Sequence, residues 1–278
     1  MDYLMKEDYD WIWEINPLLT DNFGAIYCIQ SCFSCISVVE LFYGNIGYCM
    51  ISHGGMIMKL SEACERFNRL AGIEFGELFS PSDMETIIVN KGKTGQLLEL
   101  ALGMHLSSTN LDFEDGELET NKCDRLGKPK ETVFITQISS VIDELIQQRP
   151  FEETHLYAKI SNILYVPVCK DGDPRTWMFL PSINVDLSKA KFSGLKDIWR
   201  EDYYSICRQL KEHIETSSDG FIHTSNGTHI QVRSKDARDS RGNYHPIYSD
   251  TYKRYVSDKN HAFYFQKRFV NDIKAMNG

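Results

Sequence analysis

The sequence predicts an α/β or α+β domain preceded by a segment of different character. Three observations carry this. Beyond residue 55, stretches with apolar residues at helical spacing follow stretches where apolar and polar residues alternate. The 278 residues are 42% hydrophobic and 25% charged, an ordinary globular composition with enough chain to bury a sizeable core. No internal repeat or low-complexity run interrupts the pattern.

Residues 1–55 hold four of the eight cysteines (Cys28, Cys32, Cys35, Cys49) and one basic residue, Lys6, with no clear period. The expected organisation is an atypical extension over 1–55 and one domain over 56–278, with native translation expected to start at Met56 or Met58. Ser61 reads as an N-cap, with Leu60, Cys64, Phe67 and Leu70–Ala71 at helical spacing after it. Pro81–Met84 is a turn and a helix start. The next helix carries Leu97, Leu98, Ala101 and Leu102 on one face, with Glu99 at the edge of that stripe. An acidic run follows, holding Asp112, Glu114, Asp115, Glu117 and Glu119.

Gly127–Pro129 form a turn and Thr132–Ile138 a strand. Ile163–Val168 read as a buried strand. Residues 195–214 form an amphipathic helix with Ile198, Tyr203, Ile206, Leu210 and Ile214 on one side. In "THIQVRSK" Ile230 and Val232 alternate with Gln231 and Arg233, which is a strand. Residues 236–250 read as a polar basic loop, and "HAFYFQKRFV" as a last strand ending in Lys267–Arg268.

The net charge of -9 argues against nonspecific coating of nucleic acid, but it is uneven. Residues 1–90 carry 13 acids and 4 bases, whereas residues 220–278 carry 10 bases and 5 acids. A locally basic end can bind phosphates in an acidic chain. The acidic N-terminus is no secretory signal, and Phe23–Val39 is too interrupted for the ~18–20 apolar residues of a membrane span. Eight cysteines without secretion point to reduced thiols in a cytoplasm.

Among candidate chemistries, "CIQSCFSC" has a spacing that can hold an iron–sulfur cluster, but no barrel-length run of strand–helix units follows it. Cys123, Cys169 and Cys207 stand too far apart for a zinc site. No G-x-S-x-G elbow marks a hydrolase. The acidic run reads either as a solvated loop or as a metal edge. Glu117 and Glu119 fall on one face of a short strand, and with Asp112 they suit an octahedral Mg2+ that keeps waters. Such a site serves phosphodiester hydrolysis.

Several segments, in one order from about Met58 to Ile273, resemble the MutH-type mismatch-repair nickases and the type II restriction enzymes that cut at GATC. They are "KGKTGQLLELALG", "DFEDGELET", "GKPKETVFI", "FEETHLYAKISNILYVPV", "REDYYSICRQL", "HIQVRSKDA" and "FYFQKRF". The resemblance implies a restriction-endonuclease-like PD-(D/E)xK core, with a central mixed sheet flanked by helices and two lobes forming a DNA cleft. It implies that Asp112 and Glu117 bind Mg2+ with Glu99 beside them, and that Lys159 is a second active-site lysine. It makes Arg233, Lys235 and Tyr264 the candidates for base and phosphate contact. Arg238, Arg241, Lys253, Arg254, Lys267 and Arg268 are expected to contact phosphates.

Two departures stand out. The loop from Asp112 to Glu117 is shorter than the family's, and Glu119 stands where the family generally has lysine. Either Glu119 itself polarises the water or meets a second metal, or Lys159 or Lys122 supplies the positive charge, or the site is inactive. The expected function is a Mg2+-dependent, sequence-specific endonuclease acting on double-stranded DNA. A restriction enzyme with a cognate methyltransferase is favoured slightly over a nickase answering to a MutL-type partner. The alternative is a nuclease-fold module that binds DNA without cutting.

Overall fold

In a computed structural model of the chain, the residues described are 26–29, 36–43, 46–53, 58–89, 93–104, 111–235 and 241–276. Two compact units are present, Met1–Met56 and Ile57–Gly278. In the first, β1 (Ile26–Ile29), β2 (Ile36–Tyr43) and β3 (Ile46–His53) form an antiparallel sheet in that order. The sequence shows no strand period there, because the polar residues of β2, Ser37 and Glu40, stand three apart and break strict alternation.

The second unit begins with four helices: α1 (Leu60–Phe67), α2 (Phe75–Leu78), α3 (Pro81–Val89) and α4 (Lys93–Ala101). Then come β4 (Glu117–Cys123), β5 (Val133–Gln137), α5 (Ile142–Ile146), α6 (His155–Ile160) and β6 (Asn162–Cys169). β7 (Met178–Phe179), β8 (Ile183–Asp186) and the long α7 (Ser193–Thr216) follow. The chain ends with β9 (Ser225–Asn226), β10 (Ile230–Ser234), β11 (Ile247–Ser249), β12 (Arg254–Ser257), β13 (His261–Phe265) and α8 (Lys267–Ala275).

The expected mixed sheet is present, but the described strands of this unit divide between two four-stranded sheets and the two-stranded pair β11-β12. In the mixed sheet β4 runs parallel to β6, and β6 pairs antiparallel with β7 and β8. The other sheet is antiparallel, in the order β5-β13-β10-β9. A turn over 124–128 connects them. Asp124 Oδ1 accepts from the N–H groups of Leu126 and Lys128, and the returning chain donates from Lys130 N to Lys122 O at 2.8 Å.

Residues 163–169 of β6 are all buried, as expected for a strand covered on both faces. Leu164, Val166 and Val168 pack with Leu118 against Leu60, Phe67, Phe75 and Leu98 of the early helices. Ile163 and Tyr165 face the larger core around Trp199, Tyr203 and Leu210 of α7. Since β4 pairs in register with β6, Glu117 lies beside Ile163 and Glu119 beside Tyr165, on the side of that larger core. No helix among the described residues is long and apolar enough to cross a membrane.

Four local expectations are corrected. Ser61 does not cap α1. The flanking residue is Lys59 without a side-chain cap, and Leu60 N donates instead to Asp115 Oδ1 at 2.8 Å. Ala101 is exposed, whereas Leu97, Leu98 and Leu102 are buried. The last strand stops at Phe265, because Phe269, Val270 and Ile273 change to helical spacing and bury one face of α8. The loop over 236–250 contains β11, which pairs with β12.

Candidate active site and readout face

The acidic run is folded by a tight turn. Phe113 N donates to Gly116 O at 2.9 Å, and Glu114 N to Met58 O at 3.0 Å. A side chain at Gly116 would meet Asn162 O and Leu60 Cδ1 at 2.5 Å, so only glycine lets the turn sit against β6 and α1. Asp115 is spent on the N-terminus of α1, while Glu114 is exposed. That leaves Asp112, Glu117 and Glu119 for chemistry.

Asp112 is half-buried, and its Oδ2 accepts from Leu118 N at 3.0 Å. Glu117 is buried, and the Asp112 carboxyl lies close enough to act on it. Glu117 Oε1 accepts from Lys159 Nζ at 2.6 Å. Burial, and then the charge of Asp112, push the Glu117 carboxyl up to about 8 against the opposing pull of Lys159. Glu99 reaches toward the group from α4, pushed up to about 7 by burial and by Asp112. Glu119 is held well above the usual carboxylate range by burial and by the charges of Glu117 and Asp112, again opposed by Lys159. Lys122 is even-numbered on β4 and so lies on the opposite face from Glu119.

Glu117 and Lys159 are therefore in direct contact, with Asp112, Glu99 and Glu119 coupled to them through their charges. Among the described residues no three His, Cys, Asp or Glu side chains form a group that could hold a metal ion. Two buried polar atoms on the strands of this site, Asn121 Oδ1 and the Tyr165 hydroxyl, have no hydrogen-bond partner.

The second sheet brings the other candidates together. The Arg233 guanidinium lies 4.2 Å from the centre of the Tyr264 ring and donates to Thr132 Oγ1 at 2.8 Å. Tyr264 meets Phe134 edge-on at 5.7 Å, and Lys235 Nζ lies 3.1 Å over the Phe134 ring. Burial lowers the Lys235 ammonium and raises the Tyr264 phenol. Two cations and two aromatic rings thus interlock across β10, β13 and β5. The sequence reading missed Phe134, although the alternation in "TVFIT" puts it opposite the buried Val133 and Ile135.

The remaining basic residues are dispersed. Lys267 and Arg268 are exposed at the start of α8, with Arg268 Nε 3.5 Å from Asp272. Arg241 is exposed in the segment before β11. Arg254 donates to the carbonyls of Gly220 and Ile214, and Lys253 lies 3.3 Å from Asp250. Arg238 lies outside the described residues, as do Cys28, Cys32 and Cys35 beyond the backbone of β1.

Residues 103–177, which include the acidic turn, β4, α6 and β6, match the family described as DNA mismatch repair enzyme MutH. The DNA mismatch repair protein MutH of Shewanella woodyi is 32% identical over 193 residues, covering 64% of this chain and 76% of that protein. The protein of the same name from Vibrio parahaemolyticus is 33% identical over 183 residues, covering 64% and 77%. That of Vibrio campbellii is 34% identical over 114 residues, covering 39% and 49%.

Proposed function

This chain belongs to the MutH family, and from that premise we propose that it is an endonuclease of DNA mismatch repair that cuts duplex DNA at a short specific sequence with Mg2+. The ion pair of Lys159 with the buried Glu117, with Asp112 acting on the same carboxyl, carries this reading. Repair is favoured over restriction, since the Shewanella and Vibrio relatives are named as mismatch repair proteins.

The donor chemistry fits Mg2+. Its ligands are hard oxygens, and it needs only one or two protein carboxylates besides water and substrate phosphate. Asp112 and Glu117 each keep one oxygen that takes no part in the contacts to Leu118 N and Lys159. Four acids around a single lysine also leave the group short of positive charge. When bound, the ion would neutralise charge on the scissile phosphate and make the attacking water more acidic. Lys159 orients the Glu117 carboxyl and carries a positive charge to the phosphate's side of the pair. Glu99, on which the charge of Asp112 acts, adds to the negative charge around the site. On the second sheet, Arg233 and Lys235, braced by aromatic rings, supply contacts to bases and phosphates in a cleft. Lys267, Arg268, Arg241 and Arg238 add phosphate contacts.

The test is incubation of methylated and unmethylated plasmid with the protein, with and without Mg2+ and a MutL-type protein. Nicking that requires Mg2+ and increases with MutL supports the reading. A second reading is favoured by Glu119, which stands half-buried and with its carboxyl raised where the family generally has lysine. On that reading the domain grips DNA without cutting. It would be established by a wild-type protein that shifts DNA but never cleaves, beside a Glu119→Lys variant that does.

A further inference from the structure

The short helix α6 presents two side chains one turn apart, His155 and Lys159, and each is tied to a different strand. Lys159 Nζ reaches Glu117 at the start of β4. His155 Nε2 lies 3.1 Å from Thr136 Oγ1 of β5. A bulge in the β5–β13 pairing sets Thr136 opposite the buried Phe263 and Phe134 opposite Tyr264, so Thr136 projects toward the core side of β5 and Phe134 toward the other. The backbone N–H of His155 is held in turn by Glu144 Oε1 at 3.2 Å.

A helix of six residues has little stability of its own, so its orientation is set by what it packs on. Leu156 and Ile160 anchor its underside in the core, and Thr154 caps it by accepting from Tyr157 N. These contacts fix its depth. Rotation about its axis is restrained by the two polar ties on its other face, the one through His155 and the one through Lys159. Loss of the first frees the first turn, and the lysine one turn later moves with it.

We propose that His155 is a positioning residue. Through Thr136 it sets the rotation of α6, and so the placement of Lys159 on Glu117. Its consequence for cleavage rests on the endonuclease reading above, but the placement of Lys159 does not.

The experiment uses the full chain carrying His155→Ala, His155→Gln, Thr136→Val and the double variant His155→Ala/Thr136→Val. Lys159 labelling by an amine-reactive anhydride, read by mass spectrometry, is expected to rise severalfold in His155→Ala. It should return toward the wild-type rate in His155→Gln, whose amide can reach Thr136 from the Nε2 position. The double variant should label no faster than His155→Ala alone. In cleavage, kcat should fall about tenfold while KM and the gel shift of the same DNA stay within about twofold. Equal labelling of Lys159 in wild type and His155→Ala, with both proteins folded by thermal melt, overturns the proposal. Coupled labelling in a protein that never cleaves would sustain the positioning role and remove the endonuclease reading instead.

Discussion

Lys159 Nζ stands 2.6 Å from Glu117 Oε1, and the same Glu117 carboxyl feels the charge of Asp112. One lysine therefore opposes a pair of acids, and burial outweighs it. Because the folded Glu117 is raised from 4.5 to about 8, the folded state binds the extra proton between those values. Stability of the metal-free protein should accordingly be greatest for this group below about pH 4.5. It should fall as pH rises toward about 8, by at most roughly 1.4 kcal/mol per pH unit. Denaturant midpoints in EDTA from pH 5.5 to 8.5 measure this, and Glu117→Gln should flatten the slope. Mg2+, which prefers the ionised pair, should restore more stability at pH 8 than at pH 5.5. A slope that Glu117→Gln leaves intact would assign it to another group.

Asp115 and Gly116 hold the acidic turn rather than taking part in chemistry. Asp115→Ala should cost about 1 kcal/mol through the lost cap on α1. Gly116→Ala should cost more, because its new Cβ meets the backbone oxygen of Asn162, which cannot swing away. Both should weaken Mg2+ binding in titration calorimetry. Undiminished Mg2+ affinity in Gly116→Ala would mean that the turn does not place the acids.

Asp202 is a buried carboxylate on α7 that accepts from the N–H groups of Thr228, His229 and Ile230. Those groups lead directly into β10, the strand that carries Arg233. Asp202→Ala should lower stability by about 3 kcal/mol, since it leaves buried donors unpaired. Because β10 loses its anchor, DNA affinity should fall with stability. A chemical denaturation curve and a gel shift on one preparation would test both, and unchanged affinity in a destabilised protein would separate the two effects.

Arg233 and Tyr264 should behave differently on substitution. Arg233→Ala removes the cation over the ring and the bond to Thr132, and is expected to weaken DNA binding. If Arg233 meets a phosphate, the slope of log affinity against log salt should flatten by roughly one. If it reads a guanine, discrimination at one base should fall by about 1–3 kcal/mol. Tyr264→Phe keeps the ring and should retain most affinity. Binding across a salt series and a set of single-base variants separates the possibilities. A protein unaffected in both would place Arg233 outside the interface.

The elements with a strong single period were legible in the sequence. β6, β10 and α7 stand where their apolar patterns put them, and Glu117 and Glu119 share a face of β4 as the alternation required. What the sequence hid was long-range or changed period. The cap on Leu60 comes from Asp115, 55 residues away, so the local serine was a misleading signal. Lys159 meets Glu117 across 42 residues, and only the resemblance named it. The start of α8 was missed because a fully buried β13 runs into a helix with one polar residue between them. His155 and Thr136 carry no motif, since a histidine–threonine contact leaves no spacing in the chain.

The cap on α1 has a mechanical meaning. Asp115 grips the first amide of that helix, and its own carbonyl is gripped by Asn162 at the start of β6. Leu60 therefore cannot slide along its axis without tugging on the residue next to Gly116, and through it on Asp112 and Glu117. A load applied to this first helix arrives, one hydrogen bond later, at the turn that carries the carboxylates.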